Sequence, residues 1–87
     1  MICDFSEDYA RVKLINKWNF INKNGEFLSD KWFDWVEYFR EGYAKVELNN
    51  KYNFINKNCE IMSDKWFDSH KDANEYLDNL LKKNNIN

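Results

Sequence analysis

The chain has no proline, and its only glycines are Gly25 and Gly42. A glycine-rich loop that cradles phosphate is therefore excluded. Turns that need a positive φ fall mostly to Asn and Asp, the non-glycine residues that accept it most cheaply. Cysteine is also scarce. Cys3 and Cys59 share no metal-type spacing with each other or with His70, the single histidine, so no zinc site is indicated. The reducing compartment expected for this chain disfavours a disulfide between them. Charge of one sign is missing too. A net charge of −2 creates no field that would steer the protein to nucleic acid or an anionic membrane. The opening Met1-Ile2-Cys3-Asp4 and the residues after it hold no basic stretch followed by an apolar one, as a secretory signal would. No apolar run nears the ~18 residues of a membrane span. The expectation is a soluble, cytoplasmic product of a complete small reading frame, with no cofactor, metal or membrane partner.

Aromatic residues are plentiful instead, at 18% of the 87 residues. So short a domain buries a modest share of its surface, and large rings compensate. The main feature is repetition. Shifted by 34 residues, residues 9–34 fall on residues 43–68, and 19 of the 26 aligned pairs are identical. The differing pairs are Arg11/Lys45, Lys13/Glu47, Ile15/Asn49, Trp18/Tyr52, Gly25/Cys59, Phe27/Ile61 and Leu28/Met62. A fixed period of this size marks a repeat architecture.

Within the unit, residues 9–15 alternate: Ala10, Val12 and Leu14 point one way, Tyr9, Arg11, Lys13 and Ile15 the other. That is the period of a half-buried strand. Asn16-Lys17, and Asn49-Asn50 one repeat on, supply a turn. A strand then resumes at residues 18–22, giving a hairpin in each copy. A turn at 15–16 or at 16–17 puts Ala10, Val12 and Leu14 on the face of Asn19 and Ile21, and Trp18 and Phe20 with Arg11 and Lys13. Asn24-Gly25 predicts a second tight turn leading to a short strand at 26–28. In the second copy, Cys59 takes the glycine's place at some backbone cost. After a turn at Ser29-Asp30, residues 31–34 return as a strand that 35–39 extends, and Gly42 closes the unit.

Residues 1–8 read as the tail of a partial unit, since Phe5 falls on Phe39 and Glu7 on Glu41. The second copy breaks off after Asp68. Ser69, with Asp72 three residues on, resembles a capping box, and Ala73, Tyr76, Leu77, Leu80 and Leu81 come next at helical spacing. The predicted fold is mainly β: tandem antiparallel β-hairpin repeats of 34 residues, closed by a C-terminal capping α-helix. As one domain it divides into a partial repeat at 1–8, repeats at 9–42 and 43–68, a capping helix at 69–84 and a frayed tail at 85–87.

The runs Lys-Trp-Asn-Phe-Ile-Asn-Lys-Asn-Gly-Glu (17–26), Lys-Trp-Phe-Asp (31–34) and Phe-Arg-Glu-Gly-Tyr-Ala-Lys-Val (39–46) resemble the WG repeat. This is a β-rich bacterial and phage repeat named for a Trp-Gly pair. The resemblance covers nearly all of residues 5–68. Asn19 and Asn53 stand where the family has its naming glycine, and Trp32-Phe33 replaces the usual Pro-x-Tyr. The resemblance implies an interaction scaffold and no general catalytic activity. A weaker likeness to choline-binding cell-wall repeats is disfavoured by the long period and the missing secretory signal.

The same residues admit some chemistry. Asp30, Asp34, Asp64 and Asp68 recur, and paired acids can act as general acid and base. Turn-making is the plainer role, and an active site is a single asymmetric constellation that duplication does not suit. His70 in the first helical turn reads as solvent-exposed. Trp18, Phe20, Trp32, Phe33, Tyr52, Phe54, Trp66 and Phe67 form an aromatic ladder that is read first as a structural core. Stacked on sugars, the ladder gives the alternative of a carbohydrate- or cell-wall-binding module. Stacked on bases beside Lys17, Lys23, Lys31 and their copies, it gives weak single-stranded nucleic-acid binding. Nucleic acid is disfavoured because interleaved acids cancel the lysines. Residues kept in both copies serve the fold, whereas those that differ are free to serve a partner. The largest break is 35–40 against 69–74, and Trp35, Tyr38 and Arg40 are residue types that dominate interface energies. The plainer role for this stretch is packing of Trp35 and Phe39 between repeats or under the helix. The expected function is non-enzymatic protein binding, concretely a small phage or mobile-element adaptor or inhibitor of a host factor. A homodimer through an edge strand is a further expectation.

Overall fold

The alternation of residues 9–14 becomes strand β2 (Tyr9–Leu14), which pairs antiparallel with β3 (Lys17–Asn22) in the register Ala10↔Ile21, Val12↔Asn19 and Lys13↔Trp18. The repeat unit folds the same way: β5 (Tyr43–Leu48) pairs with β6 (Lys51–Asn56) through Ala44↔Ile55, Val46↔Asn53 and Glu47↔Tyr52. Each hairpin gains one strand from the preceding segment, β1 (Ile2–Ser6) beside β2 and β4 (Trp35–Val36) beside β5. The result is two three-stranded antiparallel sheets, β1-β2-β3 and β4-β5-β6, with helix α1 (His70–Asn84) after them. This computed structural model describes residues 2–84, so Met1 and the tail at 85–87 lie outside the described residues. The fold class is as expected: mainly β hairpin repeats with one terminal helix.

Both faces of the hairpin are used. Cross-strand partners share a face, so Trp18 and Phe20 lie on one side of the first sheet, and Ala44, Val46 and Ile55 on one side of the second. These residues meet in a single core with Phe33, Val36 and Phe39. The aromatic face of unit one therefore packs on the aliphatic face of unit two. On the other side of the second sheet, Phe54 packs against Ala73 and Leu77 of α1, with Tyr43, Tyr52, Met62, Phe67 and Tyr76 around it. The layer order is sheet, sheet, helix. Phe20, Phe33, Phe39 and Phe54 are almost fully buried, and burying each such ring contributes roughly 1.5–3 kcal/mol.

The helix begins where the chemistry places it. The Ser69 hydroxyl accepts the Asp72 N–H at 3.1 Å, which satisfies one of the free amides of the first turn. Tyr76 adds a tie by donating its hydroxyl to the Met62 carbonyl at 2.8 Å. Burial first, then Tyr43 and Asp64, push the Tyr76 phenol above its ordinary value.

The hairpin turns take one of the two expected placements, and three other local expectations change. The first hairpin turns at Ile15-Asn16, since Leu14 pairs with Lys17, and Ile15 itself takes the left-handed φ of 59°. The second turns at Asn49-Asn50, both at positive φ. The short strand expected at 26–28 reduces to one bridge, Ile21↔Phe27, and the strand at 31–34 to one bridge, Trp18↔Phe33. For 26–28 the cause is Asn22, whose side-chain oxygen accepts the N–H groups of both Asn24 and Glu26 at 2.9 Å. That side chain curls the loop before a ladder can form, and Asn56 repeats the arrangement with Asn58 and Glu60. The expected extension of 31–34 through 35–39 breaks at Asp34. Phe33 pairs within the first sheet, whereas Trp35 and Val36 pair with Glu47 and Val46 of the second.

Asn19 and Asn53 are fully buried and neither takes a positive φ. Asn19 donates to the Ser29 carbonyl at 2.8 Å and accepts the Phe20 N–H at 2.7 Å. Asn53 makes the same pair with Ser63 and Phe54. Asparagine here fills a gap between strand and loop with hydrogen bonds that glycine could not make.

Candidate functional site

Because the chain crosses from one sheet to the next at Asp34, residues 35–40 run over the open side of the sheet–sheet core and face α1. The residues singled out there come together. Trp35, Tyr38 and Arg40 line one cleft of about 410 Å³ between this connector and the helix. Trp35 is 37% exposed and Tyr38 48%. Phe39, by contrast, is buried between the units against Tyr9 and Phe20. Phe54, Tyr43 and Leu77 supply apolar wall, and Arg11, Glu37, Lys45 and Asn74 supply polar groups. A more polar recess continues the cleft past His70 and Asp78.

Arg11 organises one end. Alternation puts it on the ring-bearing face of β2, and its guanidinium sits 5.1 Å from the ring centres of Trp18 and Trp35 and 4.1 Å from that of Tyr38. It donates to the Val36 carbonyl at 3.2 Å and to the Tyr38 hydroxyl at 3.0 Å. Such stacking holds a cation by roughly 0.5–2 kcal/mol per ring, depending on desolvation. Arg11 thus fixes Trp35 and Tyr38 in place on the cleft wall. Among the described residues, the Arg11 Nε is the one buried side-chain nitrogen or oxygen without a hydrogen-bond partner.

The same position in unit two is Lys45, and its surroundings differ. Its Nζ lies 3.2 Å from the His70 Nδ1 and 3.8 Å from Glu37. The His70 ring rests on Tyr52 at 4.1 Å between centres. The exposed outer side of the cleft belongs to Arg40, whose guanidinium forms no ion pair among the described residues.

The recurring acids have local duties. Asp34 pairs with Lys17 and accepts the Asn49 N–H at 2.9 Å. Lys17 first, then that N–H, hold its carboxyl below the ordinary value. Asp68 pairs with Lys51, which lowers it likewise. Glu7 accepts from the Gly42 N–H at 2.8 Å and from Glu41, and pairs with Lys57 at 3.2 Å. Burial pushes Glu7 up, but these donors outweigh it and its carboxyl sits lower than usual.

Of the aromatic ladder, Trp18, Phe20, Phe33 and Phe54 are buried, while Trp32, Tyr52, Trp66 and Phe67 are less so, Trp32 and Trp66 packing only in part. Trp66 packs on the inter-sheet core, and Tyr52 and Phe67 pack beneath the helix. Trp32 lies apart from both cores, edge-on to the exposed Phe27 at 5.1 Å. Sequence reasoning missed Arg11 and Lys45 as parts of the cleft. Their signal was present, because Arg11/Lys45 is one of the seven pairs in which the copies differ.

The family described as WG containing repeat matches residues 3–18 and 20–52, more than half of the chain. No curated protein and no solved structure matches it.

Proposed function

The chain belongs to the family of WG-containing repeats, and from that premise we propose a non-enzymatic protein-interaction module that binds a partner's peptide segment in the cleft between residues 35–40 and α1. The observation that carries this reading is the meeting of Trp35, Tyr38 and Arg40, three hot-spot residue types, over an apolar wall of Phe54 and Leu77. The Arg40 guanidinium, free of an ion pair among the described residues, suits a carboxylate on the segment, and the wall suits an apolar side chain next to it. A small phage or mobile-element adaptor or inhibitor of a host factor is the concrete form of this proposal. The cytoplasm is its proposed location, and free Cys3 and Cys59 agree with it. Among the described residues, no helix is long and apolar enough to cross a membrane.

The same geometry argues against a sugar- or base-stacking ladder. Four rings of the proposed ladder are buried, so their faces are spent on the core. The single histidine is engaged with Lys45 and Tyr52, and Asp34 and Asp68 with lysines, which supports a non-catalytic reading. The test is recovery of partners from native cells with the wild-type chain and with Tyr38→Ala and Arg40→Ala. Each substitution should weaken capture of the same partner by roughly 30-fold, the effect of losing one ~2 kcal/mol anchor. Unchanged recovery with folded variants removes the cleft as the site.

A further inference from the structure

The loop that leaves each hairpin is written alike in the two units except at one position. Residues 22–26 and 56–60 differ only in Gly25 against Cys59. That change falls directly after an asparagine, Asn24 in one loop and Asn58 in the other. Asn24 is the one asparagine in the chain that a glycine follows.

The surroundings of the two asparagines match. The Gly25 N–H donates to the Asn22 carbonyl at 3.1 Å, and the Cys59 N–H to the Asn56 carbonyl at 3.0 Å. The side chains of Asn22 and Asn56 hold the next N–H groups of their loops at 2.9–3.0 Å. Gly25 has a φ of 82° and Cys59 one of 65°. Asn24 and Asn58 are both exposed, and neither side chain makes a hydrogen bond among the described residues. Both line one groove, together with Lys23 and Lys57. Solvent, nearby charge and turn geometry are thus shared. What separates the two is a Cβ on the residue that follows.

That Cβ bears on a reaction an asparagine performs on itself. The backbone nitrogen of the next residue lies within reach of the side-chain amide carbon, and attack there closes a ring. Such an intramolecular step gains from the proximity that the chain enforces. A Cβ beside the attacking nitrogen crowds the approach and stiffens the backbone, and glycine has none. The engaged N–H makes attack wait on opening of the loop, a restraint equal in both units. Other asparagines are worse placed: Asn19 and Asn53 are buried, and Asn22 and Asn56 are held by their own loops.

We propose that Asn24 is a self-modification site, at which the chain turns its own amide into a carboxylate with water as co-reactant. The Gly25 nitrogen gives its proton to solvent and bonds to the Asn24 Cγ. The Cγ–Nδ2 bond breaks and ammonia leaves, so that a cyclic imide remains. Water then adds to one imide carbonyl, and the ring bond from that carbon to the Gly25 nitrogen opens. Attack at Cγ restores the main chain with an aspartate. Attack at the backbone carbonyl leaves an isoaspartate, whose main chain runs through the former side chain. One water is consumed for each ammonia released, and nothing is oxidised or reduced. Either product adds a negative charge to the groove beside Lys23 and Lys57. This groove shares no lining residue with the connector cleft, so the proposal stands independently of peptide binding.

The experiment incubates the full chain in warm, mildly alkaline buffer and follows its peptides by mass spectrometry, with aspartate and isoaspartate forms separated. Asn24 should take on the mass of the acid at least about tenfold faster than Asn58, a barrier difference of ~1.4 kcal/mol. Cys59→Gly should raise Asn58 to the rate of Asn24, and Gly25→Cys should slow Asn24 to that of Asn58. Equal rates in the wild type, or no conversion of Asn24, overturn the proposal. A slow Asn58 in Cys59→Gly overturns it too, since the missing Cβ would then not set the rate. Aspartate without any isoaspartate at position 24 counts against the imide, because direct hydrolysis gives that result. If Gly25→Cys loses its fold, Cys59→Gly decides, since it removes a side chain from a left-handed φ.

Discussion

Unit one and unit two share most of their residues yet live in opposite surroundings. Unit one has its aromatic face closed by another sheet, while on its aliphatic face Ala10 and Val12 are buried and Ile2, Phe5 and Leu14 are exposed. Unit two has its aliphatic face closed by unit one and its aromatic face closed by a helix. The difference teaches that the hairpin's internal bonds, not its cover, define the unit. Asn19 and Asn53 make matching hydrogen bonds, as do Asn22 and Asn56, in either setting. What varies is the cover, and with it the setting of the cation that Arg11 or Lys45 supplies. Arg11 lies among three rings where Lys45 meets a histidine and a glutamate.

The comparison breaks hardest at its two central rings. Phe20 and Phe54 occupy the same position, both almost fully buried, one under a sheet and one under a helix. Truncating either to Ala should cost about 3–5 kcal/mol, a large part of the stability of so small a domain. Urea unfolding of Phe20→Ala and Phe54→Ala checks this. Phe20 touches Phe39 at 4.7 Å within the larger core, so Phe20→Ala should be the costlier. A greater loss in Phe54→Ala would mean that the helix, not the sheet pairing, holds the chain together.

A smaller effect, of opposite sign, separates the turns. Ile15 and Cys59 each hold a left-handed φ that the other copy gives to Asn49 or Gly25. Writing each copy in the words of the other, Ile15→Asn and Cys59→Gly, should stabilise by about 1 kcal/mol apiece. A Cβ at Gly25 would meet nothing within 4 Å, so the cost at the matching Cys59 lies in the backbone and not in crowding. Melting temperatures should rise by several degrees in both variants at low concentration. No rise in either would show that neighbouring contacts have absorbed the strain.

Much of the fold was legible in the residues. The 34-residue repeat, the hairpins, the shared faces and the Ser69 cap come from period, parity and capping chemistry, and Trp35, Tyr38 and Arg40 emerged from the break between copies. Three things were not legible. Asn22 was hidden behind the more familiar Asn24-Gly25 signal, so loops were read as strands. Asp34 carries no mark of being the crossing point between sheets, because a switch of partner strand is a tertiary event. Arg11 and Lys45 looked interchangeable, since both are basic, yet only a guanidinium stacks flat on rings while donating in its plane. Conservative substitution within a repeat concealed the largest difference in environment.

The smallest predicted effect uses the acids that end each unit. Asp34 and Asp68 are both lowered by their lysine partners, but Asp34 also accepts the Asn49 N–H and so ties the end of unit one to the turn of unit two. Asp68 has no later hairpin to hold. A carboxylate whose folded pKa is depressed stabilises the fold above its unfolded pKa. That contribution is lost as pH falls through the folded value. Stability should therefore be level near neutrality and decline below about pH 4, the ordinary carboxylate range. Both pairs are solvent-screened, so Asp34 contributes under about 1 kcal/mol. Thermal melts from neutral to acid pH should show a shallower decline in Asp34→Asn than in Asp68→Asn. Equal slopes would mean that the Asn49 tie adds nothing, and that the two units end alike although one leads into a hairpin and the other into a helix.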